Sequence, residues 1–200
     1  MPALRWGNRH AFRVRHAGNI CSLLALTACA TSAVTLKPVF SPPIAAAPRV
    51  EPAACALRVL QIEDDRLDPA VLGQMGPREV LAPADRQRWL RSVIAGLGPA
   101  GVRVEFGARP QERQPHIEAR ITLQSAWVAA LPDTKTSSVV LAVQYLSHGV
   151  PMKSAAYRGS VSEANWVNGS GEIQDMVDEA IQRALVQMAG DFRIVCRNSG

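Results

Sequence analysis

What this 200-residue chain lacks narrows its chemistry before any motif is considered. There is no Gly-x-Ser-x-Gly elbow, so the strand-to-helix turn that presents a serine nucleophile is missing. No glycine-rich phosphate loop appears, and no cysteine and histidine pairs stand at zinc spacing. Asp64, Asp65 and Asp68 lie close together, but no glycine falls where a calcium-binding loop needs its sharp turn. Ser147 and His148 are adjacent, and neighbours on a strand point to opposite sides, so they make no nucleophile–base pair. His116 opens a strand and reads as a surface residue. No convergent catalytic set, metal site or cofactor site is expected, and the chain is not expected to be an enzyme.

Acidic residues are absent ahead of Glu51. Within that stretch Arg5, Arg9, Arg13 and Arg15 precede an apolar run, Ile20 to Ala28, broken only by Ser22 and Thr27. The run is far short of the ~20 residues that span a bilayer. A basic region, a short apolar region and small residues before a cut are the parts of a secretory signal. Leu26-Thr27-Ala28-Cys29 resembles the lipobox of bacterial lipoproteins. That resemblance implies a signal peptide over 1–28, cleavage before Cys29, and lipid (palmitate among the acyl groups) on Cys29. Ala30 follows, where an aspartate would imply inner-membrane retention; the expected place is the periplasmic face of the outer membrane. An ordinary signal cut nearby, or an uncleaved anchor, are the alternatives.

Processing changes the charge. The whole chain has 22 basic and 17 acidic side chains, a net +5, but losing the four leader arginines leaves 18 against 17. The basic balance belongs to the leader, so nucleic acid is not an expected partner. The 172 residues that remain suit one domain.

Four cysteines sort in the same way. Cys21 leaves with the leader and Cys29 takes the lipid. Cys55 and Cys196 are left at the two ends of the folded part, and in an oxidising compartment they read as a disulfide. Chain entropy assigns so long a loop roughly 5 kcal/mol.

Residues 29–54 carry Pro38, Pro42, Pro43, Pro48 and Pro52 and read as an extended tether holding the domain off the membrane. Residues 55–197 read as one domain. Leu57 to Ile62 is its first strand, running into the acidic turn Glu63 to Pro69; Asp65 and Arg66 are the pair expected to fix that turn. Gly73, Gly76 and Pro77 mark an irregular connection. Asp85 caps a helix whose stripe is Trp89, Leu90, Val93, Ile94 and Leu97, ended by Gly98-Pro99. Val102 to Phe106 is a short strand. From Ile117 to Trp127 apolar and polar residues alternate, which predicts a long strand with one wet face. Val139 to Leu146 is apolar on both faces and reads as central. His148-Gly149 turns the chain into a hairpin partner over Pro151 to Val161. Ser170 is a candidate cap for a helix from Ile173 to Met188. Gly190 is read as its end and Phe192 to Cys196 as a closing strand.

The fold expected is α+β: a mostly antiparallel sheet of five to six strands with two amphipathic helices packed on one face. On the open face Arg120, Thr122, Gln124, Ser125 to Trp127 and Gln144 form a mixed polar and aromatic surface.

The tether, Asp65-Arg66 followed by Leu72-Gly73, the run Gly98-Pro-Ala-Gly101-Val-Arg-Val, and the hairpin through Tyr157-Arg158-Gly159 are similar to the YajG-type bacterial lipoproteins. Asp85-Arg-Gln-Arg-Trp89-Leu resembles the helix opening in auxiliary lipoproteins of ABC-type intermembrane transport systems. Cys55 and Cys196 are not part of either pattern. The resemblances imply a lipid-anchored, non-catalytic envelope component with an envelope protein or lipid as partner. The alternative is an auxiliary subunit of a lipid transporter; an envelope hydrolase ranks last.

Overall fold

The computed structural model describes residues 33–41, 53, 55–107, 115–165 and 169–199, all within one compact unit. The lipobox with Cys29, most of the proline-rich segment, the loop before Pro115 and Trp166 lie outside the described residues.

The elements run β1 (Val34–Thr35), β2 (Ala56–Asp64), β3 (Val71–Met75), β4 (Arg78–Leu81), α1 (Arg86–Ala95), β5 (Val104–Phe106), β6 (His116–Ala130), β7 (Thr134–Ser147), β8 (Val150–Ala164) and α2 (Ser170–Arg197). The eight strands form one sheet. Its spine is a three-stranded meander in which β6, β7 and β8 pair antiparallel along nearly their whole length. The far edge of β6 is shared: β2 runs parallel to its first half and β3 parallel to its end. β5 joins β2, and β4 followed by β1 joins β3.

Alternation makes the meander. Ile117, Ala119, Ile121 and Leu123 of β6 and Val139, Leu141, Val143 and Tyr145 of β7 point into one core. The His148-Gly149 turn has positive φ at both residues, 50° and 79°, the geometry that matches strand twist in a two-residue hairpin. α2 lies over β8, β7 and β6 and buries Ile173, Met176, Ala180, Ala184, Met188 and Phe192 among others. Contact is closest at Gly159, where a Cβ would stand 1.7 Å from the Ala180 carbonyl oxygen. α1 is capped by the Asp85 carboxylate, which accepts from Arg88 N–H at 3.0 Å, and buries Trp89, Leu90, Val93 and Ile94 in the same core.

The α+β class and the two helices on one face stand, but several expectations are corrected. The sheet is mixed, because four of its seven pairings are parallel, and it has eight strands. β2 and β5 are parallel neighbours joined through α1, a crossover that a reading in hairpins overlooks. The supposed irregular connection is a hairpin, β3–β4. Gly73 sits there because β3 presses on β6: a Cβ would come 1.9 Å from the Val128 carbonyl oxygen. Gly169, not Ser170, precedes α2, with no side-chain cap. Phe192 to Cys196 is not a strand but the end of α2, since Phe192, Val195 and Cys196 continue the stripe that Gly190 only interrupts.

Residues 33–41, read as tether, are also part of the fold. Val34, Leu36 and Phe40 are buried, and Leu36 N–H donates to the Leu81 carbonyl at 3.0 Å. Phe40 N–H donates to Ser92 Oγ of α1 at 2.9 Å, and Lys37 N–H to Gln174 Oε1 of α2 at 2.8 Å. The strap thus lies between the helices. Among the described residues no helix is long and apolar enough to cross a membrane.

Candidate functional site

Both helices cover one sheet face, and the other face carries two adjoining shallow depressions. The first, about 470 Å³, is lined by Gln61, Glu63, Arg120, Thr122, Gln144 and Ser154 around the small side chains of Ala142 and Ala156. Arg120 Nη1 donates to Gln144 Oε1 at 3.4 Å, and Gln61 Nε2 donates to Glu63 Oε1. The second, about 440 Å³, lies between the turn Arg66–Asp68, β3 and the stretch Gln124 to Trp127. Gln124 lines both.

A β-bulge joins the two. The pairing of β6 with β7 shifts between Leu123 and Ser125, so Gln124 and Ser125 both lie on the open side. The bulge reverses the alternation: Ala126 and Val128 turn inward and Trp127 turns out. An unbroken period of two from Ile117 would have buried Trp127.

The turn beside Trp127 is held by Arg66, which is buried. Its Nε and Nη2 donate to Asp64 Oδ1 and Oδ2, each at 2.8 Å. Nη1 also donates to the Val71 carbonyl at 3.0 Å and Nη2 to the Pro69 carbonyl at 2.6 Å. One guanidinium therefore ties the end of β2 to the start of β3. The carboxylate partner is Asp64 and not Asp65. Residues two apart on an extended chain share a side, while Asp65 next along the chain is exposed and donates its N–H to the Leu123 carbonyl at 3.0 Å. The rigid turn leaves Leu67 wholly exposed at its tip.

Other polar groups join elements beneath the covered face. Tyr157 O–H donates to Asp191 Oδ2 at 2.9 Å, Lys153 Nζ donates to the same oxygen at 2.7 Å, and the Tyr145 hydroxyl stands 3.1 Å from that of Tyr157. Burial pushes both phenols far above their ordinary range, whereas the bond from Lys153 holds the Asp191 carboxyl below its own. Tyr157 is thus a packed residue joining β8 to α2. Lys135 is a fully buried member of β7 that pairs with Glu163 across the sheet and with Glu172 in the first turn of α2. Its run of Lys, Ser and Thr has a loop's composition, and nothing local signals the two glutamates.

His116 and His148 lie edge to face with ring centroids 6.2 Å apart, at the opposite end of the sheet from Trp127. Cys55, just before β2, and Cys196, in the last turn of α2, are joined by a disulfide with Cα atoms 6.0 Å apart. Among the described residues no group of three His, Cys, Asp or Glu is placed to hold a metal ion. On the open face the depressions offer amide, hydroxyl and apolar contacts; Glu63 is engaged by Gln61 and Arg120 by Gln144.

No family model matches the chain, and no curated protein matches it in sequence. Among solved structures it is similar to protein XCC0632 from Xanthomonas campestris (family model DUF330), at 13% identity and a TM-score of 0.55, over 84% of this chain and 98% of that one. Lipoprotein GNA1162 from Neisseria meningitidis superposes with a TM-score of 0.34 at 15% identity, over 68% and 99% of the two chains. A minor lipoprotein from Acinetobacter baumannii gives 0.37 at 11%, over 70% and 92%. The first of these establishes a shared fold.

Proposed function

We propose that the mature chain is a lipid-anchored envelope lipoprotein on the periplasmic face of the outer membrane, and that it acts without catalysis by binding a protein partner on its open sheet face. The anchoring half of this reading rests on the basic leader and on Leu26 to Cys29. The observation that carries the binding half is the second depression. There a guanidinium-locked turn sets exposed Leu67 beside exposed Trp127, an apolar contact pair on a rigid frame rather than two titratable groups converging on a reacting atom. The YajG-type likeness is the closer form of this reading. A role as auxiliary to a lipid transporter is its more specific alternative, favoured by the sequence that opens α1, Asp85 to Leu90.

Cys29→Ala tests the anchor: fatty-acid label should be lost, and the product should leave the membrane fraction. Equal labelling of the variant refutes it. For the binding half, a photocrosslinking residue is placed at Trp127 and, as control, at Val186, which is exposed on the outer side of α2. A protein adduct specific to position 127 is expected. Adducts at neither site, or at both alike, count against the open face.

A further inference from the structure

We infer that the mature protein rests with the β6–β7 end of its sheet, the turn 131–134, against the membrane instead of standing off on a tether. The inference rests on acylation of Cys29, as proposed above, and adds the orientation that follows from it.

Register supplies the geometry. Val34 pairs with Val80, Val80 with Gly73, and Gly73 with Val128. Four residues on β1, β4, β3 and β6 therefore stand at one level, and Val34 lies three strand spacings from Val128, ~14 Å. β1 is parallel to β4, β4 is antiparallel to β3, and β3 is parallel to β6, so β1 runs opposite to β6. The chain accordingly enters β1 from the end at which β6 leaves toward Leu131.

Chain length then sets the distance. Only Ala30, Thr31, Ser32 and Ala33 separate Cys29 from Val34. Even fully extended, those five steps span at most ~18 Å. Leu131 lies three residues beyond Val128 in the same direction, ~10 Å. An anchor at Cys29 is thus held no more than ~8 Å beyond the level of Leu131. A domain tied that closely meets the headgroups with this end.

The end is suited to the contact. Leu131 is 61% exposed although its backbone is fully engaged, its N–H donating to the Thr134 carbonyl at 2.7 Å and its carbonyl accepting from Asn165 Nδ2 at 2.9 Å. Pro132 and Asp133 complete the turn, and the exposed Gly76-Pro77 turn of the β3–β4 hairpin projects the same way. The turn 131–134 carries one charge, Asp133, and Lys135, Glu163 and Glu172 behind it are joined in ion pairs, so the exposed leucine gains by entering the headgroup–acyl boundary. The open face with Leu67 and Trp127 then stands out from the bilayer, free for a partner.

The test uses the full lipidated protein in vesicles of phosphatidylethanolamine and phosphatidylglycerol carrying a headgroup nitroxide quencher. A thiol-reactive fluorophore is attached at Leu131→Cys or, as control, at Val150→Cys, exposed at the far end of the hairpin. Quenching should be several-fold stronger at position 131 than at 150. Inserting about a dozen flexible Gly/Ser residues between Ala30 and Thr31 should bring it down to the level at 150. An acylated protein quenched equally at both positions, or unaffected by the insertion, overturns the orientation and leaves the anchor standing. A protein without fatty acid on Cys29 overturns both.

Discussion

The meander β6–β7–β8 with α2, and the smaller half made of β1 to β5 with α1, are held together by different means. In the first, hairpin ladders of a dozen or more residue pairs and one long helix face share the load. In the second, strands of two to nine residues are mostly parallel, and their connections depend on single groups. Those groups are the Arg66 guanidinium, the Cys55–Cys196 bond, and the amides of the strap donating to Gln174, Asp178 and Ser92. Where ladders are long, a polar substitution is shared out among many neighbours. Where they are short, one side chain decides whether two segments meet.

The strongest way to break the comparison is to strike the robust half at its closest contact. Gly159→Ala puts a Cβ against the backbone of α2 at Ala180, which cannot give as a flexible side chain would. A loss of about 3 kcal/mol or more, or failure to fold, is expected from thermal denaturation. Gly171→Ala, with nothing within 4 Å of its added Cβ, should be close to neutral. Next comes the bond between the halves. Replacing Cys55 and Cys196 together by serine should cost ~3–5 kcal/mol in denaturant unfolding, because it frees a loop with a sequence separation of 141. A double variant as stable as the oxidised parent would show that packing alone seats the end of α2 on β2.

The third comparison separates neighbours within the weaker half. Arg66→Ala leaves Asp64 and the Val71 and Pro69 carbonyls without their donor and should lower stability by ~1–3 kcal/mol. Asp65→Ala should stay within ~0.5 kcal/mol, since its side chain has no part in the clamp. If Arg66→Ala kept its thermal stability but lost a partner, the residue would belong to recognition instead.

The same contrast governs what could be read from the sequence. Period-two alternation over Ile117 to Leu123 and the 3-4 stripe of α2 are repeated signals, and they located the meander, its turn and the helix. The boundaries failed where a single residue carried contrary weight. Gly190 reads as a stop, yet Phe192 and Val195 keep the stripe; Gly73 and Gly76 read as an irregular connection, yet one serves a close approach and the other a turn. The bulge at Gln124, which exposes Trp127, has no local signature at all. In the site, composition made the acidic turn visible, but choosing Asp64 over Asp65 needs strand geometry. The prolines that marked a tether hid Val34, Leu36 and Phe40, three apolar residues spaced for burial but too few to form a pattern.

The last comparison bears on that strap and is a matter of pH. Asp178 of α2 is wholly buried and accepts from Ser41 N–H at 3.3 Å and from Gln174 Nε2 at 3.0 Å. Desolvation raises its carboxyl from 3.8 to about 6; the bonds from Ser41 and Gln174 pull the other way, as does Lys37, while Asp175 adds to the rise. Between those two values the folded chain holds a proton that the unfolded chain has released. Stability contributed by this group is therefore greatest below about pH 4, declines as pH rises toward 6, and is flat above. Asp178→Asn keeps an acceptor for Ser41 but does not titrate, so the difference in stability between parent and variant should change across pH 4 to 6 in favour of the variant as pH rises. A difference independent of pH would mean that the strap shields Asp178 less than its burial implies.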